Sequence, residues 1–298
     1  MTEASEGGAH APGSAERGEV DLHLHSTASD GTETPTEVVE RAARRGLVGL
    51  SLTDHDTVDG LEEAAAAAEE HDLRFLPGAE LSANEPGASI HILAFGFDTG
   101  HRGFLDFLEG WRDARARRAE EMVVRLREQG LDLTMEHVRK QAGGDILTRA
   151  HLGRALEAEG LVPDQETAFG RYLSRGKPAF VEKPPLRPKE VCDRVHEAGG
   201  VALVAHPGRA HTVEDIRRWV DDGIDGVEVL HPANAPDVRR RMDALADELD
   251  LLRTGGSDWH GPGDHRADLG TEGVPVEWMD RIERRCGADG AHAATAAG

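Results

Sequence analysis

Seven short apolar segments follow one another along this chain, and each ends at or next to a histidine or a carboxylate. They cover residues 20–25, 48–55, 75–80, 90–93, 201–206, 227–231 and 251–260. Side chains at the carboxyl ends of parallel barrel strands converge on one mouth, so this pattern builds a single site from distant parts of a chain. Imidazole and carboxylate ligands together suit Zn, Mn or Fe. The sequence therefore predicts a metal site.

Helical segments separate most of these strands. The helices that we expect cover residues 38–45, 61–71, 189–198, 213–222, 237–249 and 276–285. The first follows a helix-start signal, because the hydroxyl of Thr34 precedes Pro35 and Glu37 follows in the first turn. Strands that alternate with helices indicate parallel β-α units, in a sheet that is closed or wound with its helices outside.

The alternation stops between about residues 97 and 201, where only helical spacing is found. The helices expected there cover residues 104–129, 136–141, 149–159 and 166–174. We interpret residues 101–188 as a helical insertion domain, carried by a barrel formed from residues 19–100 and 189–286. The ends of the chain, residues 1–18 and 287–298, are rich in Ala, Gly, Ser and Glu and are expected to be disordered.

The charge of the chain limits its partners. The formal net charge is −22, with 56 acidic residues and only four lysines among 34 basic residues. Proteins that bind long nucleic acids use Lys and Arg against the phosphates, so no such partner is expected. An acidic, lysine-poor surface favours a halophilic source. A GC-rich genome is the alternative, although it explains only the lack of lysine. The arginines at 112, 115, 117 and 118 are interpreted as one solvated helix face.

Cysteine content and hydropathy exclude further classes of protein. Cys192 and Cys286 are the only cysteines and are far apart, which excludes a zinc finger and makes a disulfide framework improbable. The first residues carry no apolar leader, and no segment approaches the roughly 18 apolar residues of a membrane helix. We therefore expect a cytoplasmic protein that does not bind membranes.

The first strand carries the clearest metal-binding motif. Alternate residues of a strand share a face, so His23 and His25 point to the same side and can hold one metal together. Such a pair alone is a weak signal. Its significance comes from the other ligand types placed near the remaining strand ends, namely Asp30, His55, Glu80, His91, His206, Asp258 and His260.

These motifs resemble the polymerase and histidinol phosphatase (PHP) superfamily. The matching segments are Asp21-Leu22-His23-Leu24-His25-Ser26, Leu52-Thr53-Asp54-His55-Asp56, Gly78-Ala79-Glu80, Ala205-His206-Pro207 and Gly256-Ser257-Asp258-Trp259-His260. The resemblance covers roughly residues 19–286 and leaves no expected ligand position empty. It implies an α/β fold, a distorted seven-stranded (β/α)7 barrel that here carries the helical insertion domain.

The resemblance also implies a cluster of two to three divalent metal ions, Mn, Fe or Zn, among which the sequence does not choose. One metal would be held by His23, His25, Glu80 and Asp258. Glu80 would bridge to a second, completed by His91 and His206. A third would be held by Asp30, His55 and His260.

The implied reaction is attack of a metal-activated hydroxide on a phosphate ester. Asp258 and His206 would take part as ligands, while His231, outside the ligand set, is a candidate general acid or phosphate hydrogen-bond donor. A role in orienting a neighbouring ligand is an equally open interpretation of His231. Asp54 and Asp56 flank His55 and are expected to orient ligands.

Residues 147–156 resemble one branch of the superfamily, whose members hydrolyse nucleoside 3′,5′-bisphosphates or remove 5′-nucleotides from short RNA. In that branch Arg149, His151, Lys177 and Arg209 would recognise the second phosphate, since Arg and Lys suit phosphate oxygens. Each of the four can instead be an ordinary surface or structural residue. Candidates for stacking on a base are Phe180, Tyr172 and Trp259.

Three functions are compatible with the sequence. The first is a metal-dependent phosphoesterase acting on nucleoside 3′,5′-bisphosphates or short 5′-phosphorylated RNA, and it is the one we favour. The second is a histidinol-phosphate phosphatase, which the Arg149, His151 and Arg209 set disfavours. The third is a non-catalytic PHP module that serves a partner, which the complete ligand set disfavours. The oligomeric state is not predicted.

Overall fold

The computed structural model describes residues 18–85, 88–208, 210–263 and 267–296, with side chains up to residue 287. The strands are β1 Glu19–Leu24, β2 Gly49–Leu52, β3 Arg74–Phe75, β4 Gly78–Glu85, β5 Ala88–Phe95, β6 Val201–Val204, β7 Gly226–Leu230, β8 Leu252–Gly255 and β9 Val274–Pro275. The α-helices are α1 Pro35–Arg44, α2 Leu61–Glu70, α3 Arg102–Glu128, α4 Met135–Arg139, α5 Arg149–Ala158, α6 Gln165–Ala168, α7 Pro188–Glu197, α8 Val213–Asp221, α9 Pro236–Leu249 and α10 Val276–Ala296. A π-helical turn, Phe169–Leu173, follows α6 directly.

The strands form two sheets that meet at both sides. One sheet has the order β3-β2-β1-β9 and the other β4-β5-β6-β7-β8. A parallel bridge between Leu24 and Trp259 joins β1 to the chain just after β8, and a second between His55 and Glu80 joins the chain after β2 to β4. The carboxyl end of β1 is thereby brought next to residues that follow β2 and β8.

The strand directions differ in part from the sequence expectation. Pairs β1·β2, β2·β3, β6·β7 and β7·β8 are parallel, as expected, but β4·β5 and β5·β6 are antiparallel. The expected strand 75–80 is in fact two strands separated at Leu76 and Pro77. Proline has no N–H to donate to a ladder, and β4 then continues to Glu85 as a hairpin partner of β5.

Helix starts follow the local sequence closely. The hydroxyl of Thr34 accepts a hydrogen bond from the backbone N–H of Glu37, and the Glu37 carboxylate accepts one from the N–H of Thr34. This capping box satisfies two N–H groups that the helix itself leaves free. The predicted start of α1 is thus confirmed. At the other end of the chain, α10 continues to Ala296, so the expected disorder of residues 287–298 is not what the structure shows over 287–296.

Two hydrophobic clusters underlie the helices between β5 and β6. The first half of α3 packs on the main core through Phe104, Leu108 and Trp111. Its second half, from Ala119 onward, packs instead with α4, α5 and α6 in a separate cluster that includes Leu126. Helix α3 therefore belongs to both. Within the described residues, no helix is long and apolar enough to cross a membrane.

Candidate metal centre

The end of β1 supplies two fully buried histidines, His23 and His25. Their Nε2 atoms lie 3.3 and 3.2 Å from Oε2 of Glu80, which is also buried. The same two nitrogen atoms lie 3.5 and 3.2 Å from Oδ1 of Asp258. Four ligand atoms thus face one point, as in the first set that the sequence predicts.

The second carboxylate oxygen of Glu80 faces two other histidines. Oε1 lies 2.7 Å from Nδ1 of His91 and 2.8 Å from Nε2 of His206, and these two nitrogen atoms are 3.3 Å apart. His55 also approaches, with its Nδ1 3.1 Å from Oε2. Because its two oxygens face different histidines, Glu80 has the geometry of a bridging ligand.

A third group forms around Asp30. Its Oδ1 lies 3.3 Å from Nε2 of His260 and 3.9 Å from Nε2 of His55. His25 completes this group, and all four ligand atoms lie within 4.8 Å of one another. His25 therefore adjoins both the first and the third group. The structure brings all nine predicted ligands together.

The chemistry of these side chains fits divalent metals. Buried atoms without a hydrogen-bond partner include Nε2 of His23 and of His25, Oδ1 of Asp30 and Oε2 of Glu80. Buried polar atoms are normally paired, so lone pairs that converge in this way indicate room for cations. Imidazole and carboxylate ligands suit Zn, Mn and Fe.

The pKa values of the clustered side chains are also shifted by burial and by neighbouring charges. Burial raises the pKa of Glu80, but the nearby His55, His91 and His23 outweigh it and hold that pKa well below its usual value. Burial lowers the pKa of His55 to about 3, which leaves this ring neutral. Burial also lowers the pKa of His25, but Asp258 and Glu80 raise it to about 10. These two carboxylates therefore favour a positive charge at the His25 ring.

Backbone strain concentrates at the same strand ends. His206 has φ 27°, while Asp56 and Asp258 both have φ 51°. Residues other than glycine rarely adopt such values, and structures retain them mainly where function needs a side chain in one place.

Glu228, on β7, contacts two of the candidate ligands, and the sequence analysis did not single it out. Its buried carboxylate accepts a hydrogen bond from Nδ1 of His23 through Oε1 at 2.9 Å. Its Oε2 accepts one from the backbone N–H of His206 at 2.5 Å. The proton of His23 is thereby placed on Nδ1, and the lone pair of Nε2 faces the cluster. The sequence feature that could have identified Glu228 is a carboxylate placed between Val227 and Val229 in an apolar strand.

The two aspartates beside His55 lie behind the ligands. Asp54 accepts hydrogen bonds from the hydroxyls of Ser26 at 2.7 Å and Ser29 at 2.5 Å. Asp56 accepts from the hydroxyl of Ser82 at 2.9 Å. Asp54 thus binds the loop after β1 and Asp56 binds strand β4, which is the placement expected of residues that orient ligands.

His231 lies at the end of β7. Its Nδ1 accepts a hydrogen bond from the backbone N–H of Ala233 at 2.9 Å. The neutral ring therefore carries its proton on Nε2, which lies 3.3 Å from Oδ2 of Asp258. His231 also lines the cavity that opens over the cluster. It is placed to donate a hydrogen bond there.

That cavity has a volume of about 690 Å³ and contains four cationic side chains besides the candidate ligands. They are Arg115, Arg118, Arg149 and Lys183. Arg115 donates to Asp56 through Nε at 2.6 Å, and Nζ of Lys183 donates to the hydroxyl of Ser82 at 3.0 Å. Arg115 and Arg118 are thus buried in the cavity wall, and the expectation of a solvated face is wrong for both.

Burial affects the protonation of this wall. It lowers the pKa of Lys183 to about 7, with the charge of Arg115 acting in the same direction. It lowers the pKa of Arg118 to about 10, again with arginine neighbours contributing. The wall therefore combines desolvation with mutual repulsion, an environment that an anionic ligand would relieve.

Comparison with known proteins agrees with the motifs. A family model described as "PHP domain" matches residues 21–168. A 5′-3′ exoribonuclease of Haemophilus influenzae is 38% identical over 81% of this chain and 90% of its own length. The chain belongs to the PHP family. A 3′,5′-nucleoside bisphosphate phosphatase of Chromobacterium violaceum is 36% identical over 86% of this PHP chain and 92% of its own.

A solved structure supports the same assignment. It is assigned as a metal-dependent phosphoesterase from Bifidobacterium adolescentis, and superimposes with a TM-score of 0.84 at 36% identity. The match covers 91% of this chain and 96% of that one. The α/β fold is thus that of PHP phosphoesterases, and the protein is a metal-dependent phosphoric ester hydrolase.

The predicted substrate residues of this PHP enzyme are placed differently from one another. Arg149 lines the cavity. His151 is fully buried, and its Nδ1 accepts from the backbone N–H of Thr148 at the start of α5. Lys177 is exposed and is not among the residues that line the cavity. Arg209 lies outside the described residues. His151 and Lys177 are therefore not included in the phosphate site proposed below.

Proposed function

We propose that this PHP enzyme hydrolyses phosphate esters whose substrate carries a second phosphate, namely nucleoside 3′,5′-bisphosphates and short 5′-phosphorylated RNA. The observation that carries the proposal is that four cationic side chains, two of them buried and two half-buried, share one cavity with the candidate metal ligands. Asp56 balances only part of this charge, so a substrate with a single phosphate at the metals would leave the rest of the wall without an anionic partner in the cavity.

The charge balance of the wall favours a phosphate. Asp56 is the buried carboxylate that pairs with Arg115. Arg118 uses its Nε on the carbonyl oxygen of Val181, which adds no negative charge. Arginine binds phosphate oxygens in a two-pronged geometry, and lysine adds a compact charge. We therefore assign the second phosphate to Arg115, Arg118, Arg149 and Lys183.

The ester to be cleaved lies at the metal centre in this proposal. Its ligands would be His23, His25, Asp30, His55, Glu80, His91, His206, Asp258 and His260, for two to three ions of Mn, Fe or Zn. Such ions, when bound, acidify water and neutralise charge on phosphoryl oxygens. His231 carries its proton on Nε2 and would donate a hydrogen bond to a phosphoryl oxygen, while the departing oxygen would take its proton from water.

The proposal also includes the architecture. Strands β1, β2, β4, β5, β6, β7 and β8 follow one another around the two sheets and their two bridges. We interpret this ring as the distorted seven-stranded barrel of the family. The separate hydrophobic cluster of α3 to α6 supports a helical insertion at about residues 101–188 that supplies most of the cationic wall.

The alternative substrate is less compatible with this cavity. Histidinol phosphate carries an amino group, and its positive charge would meet a wall that is already cationic. A non-catalytic role is disfavoured because His23, His25, Glu80 and Asp258 are all present and face one point.

Phosphate release with Mn present tests the proposal. Adenosine 3′,5′-bisphosphate and a 5′-phosphorylated RNA trimer should be hydrolysed, histidinol phosphate should not, and His23→Ala should abolish turnover. Arg118→Ala should raise KM for the bisphosphate about 10- to 100-fold, since it removes hydrogen bonds to a charged group. Arg117→Ala, which changes the exposed neighbour on α3, is the matched control. Turnover of histidinol phosphate alone, or equal effects of the two variants, would refute the assignment.

A further inference from the structure

One aromatic ring faces the substrate cavity. The chain contains only 7 Phe, 4 Trp and 1 Tyr. Among the described residues that line the cavity, Phe169 is the only one of these three types. The sequence analysis selected Tyr172 from the same expected helix, residues 166–174, and not Phe169.

Local structure holds this ring in place. Phe169 is the first residue of the π-helical turn. Its carbonyl oxygen accepts a hydrogen bond from the backbone N–H of Ser174 at 3.0 Å. Turns of this kind are rare and are frequently found at functional sites. On α5, Gly153 leaves room for the ring, because an added Cβ would lie 3.2 Å from its Cε2 atom. The neighbouring helix therefore accommodates Phe169 by having no side chain at that point.

The ring is next to the cation proposed to bind the second phosphate. The guanidinium carbon of Arg149 lies 5.9 Å from the ring centre of Phe169. In a nucleoside bisphosphate the base is joined to the sugar that carries both phosphates. A phosphate on Arg149 thus brings the base within reach of this ring.

The other candidate aromatic rings do not line the substrate cavity. Trp259 is buried beneath the guanidinium of Arg41, at 4.8 Å from the ring centre. Trp111 donates its Nε1 hydrogen to Asp56 at 3.1 Å and is also buried. Phe180 also lies near the wall, with its ring centre 5.7 Å from the guanidinium carbons of Arg118 and Arg149, but it lines a smaller neighbouring cavity of about 130 Å³. None of these three lines the substrate cavity.

We propose that Phe169 is a specificity-determining residue that stacks on the base of the substrate and selects nucleotides over other bisphosphorylated sugars. The inference rests on the proposed function, whose second phosphate sets the position of the base. Every base has a flat π face, so the contact selects for the presence of a base, with only weak preference for which one.

The test compares two substrates that differ only in the base. These are adenosine 3′,5′-bisphosphate and the corresponding ribose 3,5-bisphosphate with hydrogen in place of the base. In the unaltered enzyme kcat/KM should be about 5- to 150-fold higher for the nucleotide, the usual range for one stacked base. Phe169→Ala should reduce this ratio to about one by lowering only the nucleotide value.

Further variants separate stacking from packing. Phe169→Leu keeps an apolar side chain and should also lose the preference, whereas Phe169→Trp should retain it. Phe107→Leu removes an aromatic ring that packs on the main core, outside the cavity, and should leave the ratio unchanged. An equal loss on both substrates in Phe169→Ala and Phe169→Leu, or an unchanged ratio in both, would overturn the inference. Failure of the unaltered enzyme on both bisphosphates would instead refute the proposed function.

Discussion

Replacing Glu228 by glutamine should weaken metal binding although Glu228 is not among the proposed ligands. In the structure its two oxygens accept hydrogen bonds from Nδ1 of His23 and from the backbone N–H of His206. Glutamine has one oxygen and one NH₂ group. The backbone N–H of His206 can only donate, so the amide oxygen should turn to it and the NH₂ group should face His23.

The consequence is a change in the position of the His23 proton. Nδ1 of His23 must then accept a hydrogen bond, and the neutral ring carries its proton on Nε2, the atom that faces Glu80 and Asp258. A protonated nitrogen cannot bind a metal. Loss of such a supporting carboxylate weakens metal affinity about 10- to 100-fold, or about 1.4–2.7 kcal/mol.

The assay is a competition for Mn or Zn between the protein and a coloured chelator, with the dissociation constant as the readout. Glu283→Gln removes a carboxylate that pairs with Arg74 at the surface, away from the cluster, and it should leave the affinity unchanged. Circular dichroism of the metal-free variants shows whether each still folds. A folded Glu228→Gln protein with the metal affinity of the unaltered chain would refute the reasoning.

Three further predictions concern the cavity wall, helix α3 and the surface. The pKa of Lys183 is lowered to about 7 by burial and by Arg115, Arg118 and Arg149, while Asp56 opposes this. Lys183 therefore loses its charge as the pH rises through 7, and KM for the bisphosphate should increase between pH 6 and 8. Lys183→Arg should abolish this increase, and an unchanged slope in that variant would contradict the role. Gly110 lies exposed within α3 with no atom near an added Cβ, so Gly110→Ala should stabilise the fold by about 0.5–1 kcal/mol in urea titrations, and a lower midpoint would count against it. If the net charge of −22 reflects a halophilic source, helicity and activity should fall in dilute buffer, whereas their persistence there would assign the acidic surface another cause.

The candidate metal ligands could be predicted from the sequence because their spacing follows the regular repeat of β-strands. A strand repeats every two residues, so His23 and His25 necessarily share a face, and strand ends gather the remaining ligands. The same simplicity explains the confirmed start of α1, since Thr34 and Glu37 are close in sequence and their capping contacts are local.

The cationic wall of the cavity could not be predicted from the sequence in the same way. Arg115 and Arg118 have the spacing and the acidic neighbours of an exposed helix face, and only tertiary packing places them in the cavity. Glu228 was passed over for a related reason, since its partners His23 and His206 are 205 and 22 residues away. Contacts between distant segments depend on the whole fold and leave no local pattern.

The antiparallel strands were missed for a different reason. Pro77 divides what looks like one apolar run, and the hairpin β4–β5 then replaces the expected β-α unit. In that hairpin Leu81 and Ala83 are buried and alternate with Ser82, which is a strand pattern but does not indicate its direction. Periodicity thus reports that a strand exists, and the connection decides how it pairs.

The wide distribution of the candidate ligands sets an order of events in biosynthesis. A chain emerges from the ribosome from its N-terminus, so His23, His25, His55 and Glu80 are made well before Asp258. The early group already has imidazole and carboxylate ligands, but its geometry depends on the contact that β1 makes with the chain after β8. A metal captured during translation would therefore bind an incomplete shell that does not yet discriminate among ions. The ion that would finally occupy the centre would then be selected late, from those that the compartment offers when the last strands have joined.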